Sequence, residues 1–162
     1  MADHDHQARV WDIVEKCGAG MLTTRFAGGL RARPLEPRPD REAGIIWFVT
    51  DVRGAKDDEI EADPQVCFVV MDHKDKAYLS ITARAEVRED HAQAAKIWKK
   101  TDDMWWSGPD DPNVRVLRLV PERAELWDGP SSTAVAMFEF AKARLTGEKP
   151  NLGENRKVTV EM

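Results

Sequence analysis

The sequence predicts a closed or nearly closed antiparallel β barrel of six to seven strands, mainly β with flanking helices. Three observations carry this. About seven short strand patterns follow one another through mostly short links, which suits antiparallel pairing better than a doubly wound sheet. Residues 21–26 and 30–36 flank the turn AGG at 27–29 and read as a hairpin. Residues 45–49 and 66–71 are apolar at every position, so both faces of each strand need a cover. Helices supply one cover and a second copy of the chain another. A homodimer built on these strands is therefore expected.

Each element has a local reason. Residues 7–16 put Val10, Ile13 and Val14 on one side of a helix, and CGAG at 17–20 stops it. MLTTRF is a strand, and LRARPLEP is its returning partner. Pro34 cannot donate to a ladder, which places that strand at a free or bulged edge. PRPDREAG at 37–44 reads as a loop. IIWFVT is a strand, GAKDDEIEAD a short helix stopped by Pro64, and QVCFVVMD a strand ending in the turn HKDK at 73–76. AYLSITARAEVRE is a longer strand with Tyr78, Ser80 and Thr82 on one face. Asp90 caps a helix over HAQAAKIWKK. TDDMWWSGPDDPN reads as a loop, VRVLRLVP and RAELWD as two final strands, and STAVAMFEFAKARLTG as a helix stopped at Gly147. The polar tail EKPNLGENRKVTVEM reads as a loose end.

Composition narrows the function classes. The 162 residues fit one domain, 1–162. With 24 basic and 29 acidic residues the net charge is -5, unlike a general nucleic-acid binder. No apolar run approaches ~18 residues, so no membrane span is expected. The N-terminus shows no secretory h-region. Cys17 and Cys67 sit far apart in apolar settings and read as buried free thiols. A cytoplasmic protein follows as the expectation.

Several chemistries lack their motifs. The sequence has no GxxxxGK[ST] loop, no GxGxxG after a strand, no HExxH and no CxxC. His4 and His6 fall in a frayed terminus, His73 in a turn and His91 near a helix start, so no Ser-His-Asp set can be argued. The acidic loop lacks the ligand spacing of an EF-hand, and no metal site is expected. No catalytic residue is identified.

What remains is basic. Arg31 and Arg33 share a face of the second strand, and Arg53 and Lys56 follow the third. Lys56 reads in two ways. Asp57, Asp58 and Glu59 can satisfy the helix dipole and leave Lys56 a solvated surface residue. Alternatively, Lys56 and free backbone N–H groups hold an anion, with Arg33 completing the clamp.

The stretches GMLTT, RARPLEP, IIWFVTDVRGAKDDEIEADPQVCFVV, YLSITARAEVRED and WWSGPDDPNVRVLRLVPERAELWD, in this order, resemble the FMN-binding split barrels of the pyridoxamine 5'-phosphate oxidase-like family. The match is to the general stress protein 26 branch. It covers a core over about residues 8–130, with the helix and tail over 131–162 also similar. The resemblance implies an FMN site in which Arg33 and Lys56 hold the phosphate. It places Pro34, Leu35, Val49 and Thr50 at the flavin ring. Gly54 and Ala55 stand where many relatives carry serine, and Arg53 is either a substitute or a solvated side chain. Trp105, Trp106 and Trp127 are candidates to wall the pocket, or ordinary core aromatics.

The resemblance further implies a homodimer with cofactor sites at the subunit interface. The implied function is that of a flavin-dependent oxidoreductase of unknown substrate, with a nicotinamide nucleotide as candidate donor. Two alternatives stand beside it. One is a non-catalytic flavin-binding stress or storage module. The other is a split barrel using deazaflavin F420, which Arg31, Arg33, Arg38 and Arg41 keep open. Haem would want an axial histidine in the pocket. Pyridoxamine-phosphate oxidase activity itself is not expected, because NLGENRKVTVEM lacks that enzyme's arginine–histidine motif.

Overall fold

Alternating burial along the strands wraps one antiparallel sheet around an apolar core. The computed structural model describes residues 2–54, 56–128, 133–147 and 156–162. In chain order the elements are α1 (Ala2–Lys16), β1 (Gly20–Phe26), β2 (Gly29–Leu35), β3 (Arg38–Asp40), β4 (Ile45–Asp51) and α2 (Lys56–Ala62). Then follow β5 (Gln65–Asp72), β6 (Ala77–Arg88), α3 (His91–Ile97), a 3-10 turn (Lys100–Met104), β7 (Val114–Asp128), α4 (Thr133–Thr146) and β8 (Arg156–Glu161). The strand order is β2-β1-β5-β6-β7-β4-β3, with β8 added on β7. Among the described residues β2 and β3 do not pair with each other, so the barrel is split rather than closed.

Leu22, Phe48, Phe68, Ile81 and Leu117 fill the interior, and Val10, Ile13 and Val14 of α1 pack against it. Phe48 and Phe68 meet edge to face, with centroids 5.1 Å apart. The predicted hairpin is present, with Gly29 at φ +136° in its turn. Pro34 lies on β2, which ends the sheet, so its missing N–H costs no ladder bond. Asp90 caps α3 by accepting from the Gln93 N–H at 2.9 Å. Gly147, at φ +71°, follows α4. No helix among the described residues is long and apolar enough to cross a membrane.

The structure corrects the expected elements in several places. It has eight strands rather than six to seven. Part of the predicted loop 37–44 is β3, recruited by the open edge of β4. Part of the predicted loose tail is β8, whose Val160 is buried in the core. The two predicted final strands are one, because Thr82 faces Arg123 while Ala83 faces Pro121. Glu122 is thus the extra residue of a bulge, which absorbs Pro121 without ending the strand. His4 and His6 lie within α1, not in a frayed end. α3 stops at Ile97 because Trp98 turns extended, at ψ 135°. Cys17 and Cys67 are free and half-buried rather than fully buried.

The doubly covered strands resolve into two cases. On β4, Ile46, Phe48 and Thr50 are buried while Ile45, Trp47 and Val49 are half-buried. Trp47 and Val49 pack with Ala94, Ile97, Trp98 and Trp106 of the same chain. The chain itself therefore covers part of that outer face. On β5 the outer face stays open: Met71 is 50% exposed, beside Tyr78 at 48%.

Gly20 marks a close approach of β1 to the core. A Cβ there would lie 2.4 Å from the Phe68 ring and 2.8 Å from the Val69 carbonyl. Phe68 is fully buried and cannot retreat. Gly20→Ala is expected to lower unfolding stability by about 1–3 kcal/mol. Urea denaturation checks this, and an unchanged midpoint would contradict the packing.

Candidate functional site

The arginine-bearing strand meets α2 through register. Thr24 lies opposite Arg31, and Leu22 opposite Arg33, so all four side chains share one face of the hairpin. The two short ones are buried, and the two long ones reach on to α2. There Glu59 is buried, and its carboxylate collects three donors. Thr24 Oγ1 donates at 2.5 Å, Arg31 Nη1 at 2.7 Å and Arg33 Nη2 at 2.7 Å. Arg33 Nη1 also donates to Thr24 Oγ1 at 2.9 Å. The Arg31 guanidinium lies over the Phe26 ring, 4.4 Å from its centroid. Burial pushes the Glu59 carboxyl up, but the Thr24 and Arg33 hydrogen bonds and both guanidinium charges outweigh it, holding its pKa below the usual range.

Lys56 opens α2, one turn before Glu59, so the two share a helix face. It is not a surface residue: only 8% of it is exposed. Its Nζ donates to the Asp51 carbonyl at 3.1 Å. That neutral oxygen is its one hydrogen-bond partner among the described residues. Burial lowers the Lys56 pKa, and the nearby Arg33 charge lowers it further, against Asp57, which raises it. Gly54 leaves the ammonium its space, since a Cβ there would lie 2.8 Å from Nζ. Ala55 falls outside the described residues.

A cavity of about 320 Å³ opens near the end of β4, and neither Arg33 nor Lys56 is among its lining residues. Pro34, Leu35, Val49 and Trp106 line it, with the half-turn Asp51–Arg53 on one side and exposed Trp105 at the rim. Asp51 organises this wall. Its carboxylate binds Arg53 bidentately and accepts from the Trp106 indole at 3.0 Å. The Arg53 hydrogen bond, with help from Trp106, holds the Asp51 carboxyl far below the usual range. On the opposite side Arg38 and Asp102, both buried, pair at 3.0 Å and 3.2 Å.

The expected residues thus fall into three groups. Arg33 and Lys56 come together at α2. Pro34, Leu35, Val49 and Trp106 share the cavity beside Asp51. Thr50 and Trp127 do neither. Thr50 is buried on the inner face of β4. Trp127 sits near the far end of β7, on the face with Tyr78 and under Lys157. Arg53 is committed to Asp51 rather than free. The four arginines behind the deazaflavin alternative are dispersed: Arg31 and Arg33 on Glu59, Arg38 on Asp102, Arg41 on Asp12. Glu59, Thr24 and Asp51 were not read as site residues. Only Glu59 carried a signal, its spacing of three from Lys56.

A model of the family described as "Pyridoxamine 5'-phosphate oxidase like" matches residues 5–151. The chain belongs to the pyridoxamine 5'-phosphate oxidase-like family. Several proteins similar to it are described as general stress proteins. General stress protein 26 of Bacillus subtilis is 26% identical over 141 residues, covering 85% of this chain and 99% of that one. A structure described as a general stress protein 26 from Jannaschia sp. CCS1 is 30% identical, with a TM-score of 0.79 and 99% of each chain covered. A general stress FMN/FAD binding protein from Xanthomonas citri shares the fold at 23% identity and a TM-score of 0.69, over 80% of this chain and 92% of that one. These family relatives bear out the split-barrel reading.

The depressed carboxylates tie stability to pH. A carboxyl whose folded pKa lies below its unfolded value stabilises the fold above the unfolded value, and that contribution fades as pH falls through the folded one. Asp51 and Glu59 both have this sign. Thermal melts should show the protein losing stability below about pH 5, and Asp51→Asn losing less over the same range. An equally steep decline in the variant would remove Asp51 from the account.

Proposed function

We propose that this protein binds FMN, with Arg33 and Lys56 on the phosphate and the ring against Pro34, Leu35, Val49 and Trp106, and that it works as a flavin-dependent oxidoreductase of unknown substrate. One observation carries the reading: Lys56 is a buried ammonium held by a single neutral carbonyl, beside Arg33. Burying a cation is costly unless an anion joins it. A phosphate monoester supplies that anion and accepts from Arg33 and Lys56 together. The name of the Xanthomonas relative supports a flavin as the carrier.

The residues present fit such a group. When bound, the flavin supplies hydride or one-electron transfer at its ring. The chain's own side chains anchor and orient. Arg33 and Lys56 fix the phosphate end. Val49 and Trp106 shield one side from water, and Asp51 locks Trp106 and Arg53 in place. The backbone of β4 at Val49–Thr50–Asp51 forms the ring-side wall, with the Thr50 side chain turned inward.

The test is a titration followed by absorbance and flavin fluorescence. FMN should bind at micromolar levels or tighter and then bleach on addition of NADH or NADPH. Lys56→Ala should weaken FMN by roughly 1.5–3 kcal/mol while leaving riboflavin, which lacks the phosphate, unchanged. Equal losses for both ligands would refute the clamp, and no binding of FMN would refute the whole reading.

The same proposal includes a homodimer with the cofactor at the subunit interface. Met21, Met71 and Tyr78 leave a partly bare apolar sheet face, 42–50% exposed. Met137 and Phe140 of α4 are 68% and 56% exposed. A second copy covers such surfaces, and it is the only route by which Trp127 reaches a site. Light scattering after gel filtration should give twice the 18.3 kDa chain mass, and a Met71→Glu/Tyr78→Lys variant should give the monomer. A variant that stays dimeric would place the interface elsewhere.

A further inference from the structure

We propose that Glu59 is a positioning residue for the cofactor phosphate: it fixes the Arg33 guanidinium beside Lys56, and so makes the site prefer a phosphorylated flavin. This rests on the FMN reading above and extends it to a residue that touches no ligand. The geometry is specific. Arg33 stands on β2, the terminal strand of the sheet, on a long side chain with many rotamers. Two of its nitrogens are held, one by Glu59 at 2.7 Å and one by Thr24 at 2.9 Å. Thr24 in turn donates to Glu59 at 2.5 Å. Arg33, Thr24 and Glu59 thus form a closed triangle, and two of its members are buried.

Glu59 also belongs to the helix that begins with Lys56. Three residues on, it lies on the same helix face. One short helix therefore carries both the ammonium and the carboxylate that brings the arginine to it. Without the carboxylate, Arg33 and Arg31 would repel each other, and Arg33 would leave Lys56. An anion would then have to order the arginine as it bound, which costs affinity. The carboxylate spends one edge of the guanidinium to fix the direction of the rest. Riboflavin, with no phosphate, makes no use of that direction.

The experiment measures dissociation constants for FMN and riboflavin with the full chain. Wild type should prefer FMN. Glu59→Gln should shrink that preference by about tenfold, through weaker FMN binding with riboflavin unchanged. In an Arg33→Gln background the same change should have no further effect on the preference, because Glu59 acts through Arg33. Thr24→Val opens the triangle from its neutral corner and should shrink the preference in the same direction. It also keeps the test intact where Glu59→Gln does not fold. A merely structural Glu59 would lower the melting temperature and leave the preference as it was, which overturns the proposal. So does a loss of equal size in the Arg33→Gln background. A wild type that binds FMN and riboflavin equally overturns the phosphate reading and the Glu59 role together. A wild-type FMN preference that neither Glu59→Gln nor Thr24→Val alters overturns the Glu59 role alone.

Discussion

The junction between β4 and α2 buries an ammonium, and much of the surrounding structure follows from that placement. Lys56 is drawn inward because it opens a seven-residue helix whose Ile60 and Glu59 also face the barrel. Its Nζ must then find partners inside. The Asp51 carbonyl is one, at the last residue of β4. Gly54 completes the arrangement by having no side chain where the ammonium lies. The fold therefore spends a close-packed turn on a cation that gives little back to the fold itself. Burial lowers the Lys56 pKa, and the nearby Asp57, Asp51 and Glu59 carboxylates offset part of that shift.

The neighbouring charges follow another rule. Arg31 and Arg33 share the single carboxylate of Glu59 through short hydrogen bonds, with the Thr24 hydroxyl as a third donor, and the group keeps a net charge of +1. Such a network is neutral or mildly favourable as a unit, but removing one member leaves an uncompensated charge. The site thus combines a rigid, self-satisfied half with an unsatisfied half. Asp51 does similar work at the cavity wall. Its side chain fixes Arg53 and Trp106, and its carbonyl touches Lys56. One residue at a strand end thus joins the Lys56 turn to the apolar wall of the cavity.

Local physics was legible in the sequence, and long-range pairing was not. The hairpin, the Asp90 cap, the Gly147 stop and the β5 turn depend on residues within a few positions of each other. β3 is three residues long and holds its shape only because β4 offers an edge. β8 lies in a segment whose polar composition hides an alternating VTVE, and it becomes a strand by docking on β7. The proline at 121 argued for a break, yet one extra residue opposite β6 absorbs it. The site shows the same divide. Arg33 and Lys56 were recognisable from the resemblance and their charge, whereas the Asp51–Trp106 bond joins residues 55 apart and left no local trace. Trp127 shows the limit of reading residue type alone: an aromatic on the outer face of a strand gives no indication of which end of that strand it occupies.

The uneven cover of β4 and β5 connects fold to assembly. Both strands are apolar at every position, and sequence alone treats them alike. α3 and the tryptophan loop close over β4, where the Trp98 and Trp106 rings meet at a tilt with centroids 6.1 Å apart and Trp106 is tethered to Asp51. The same tether shapes the cavity wall. β5 has no such lid. Its outer face continues through Met21 on β1 and Tyr78 on β6, then to Trp127 on β7. An apolar strip running across four strands is larger than the scattered hydrophobic residues a monomer carries on its surface. The tryptophan-rich loop therefore divides the outer surface in two. One part is covered by the chain itself and walls a small cavity, and the other stays partly exposed.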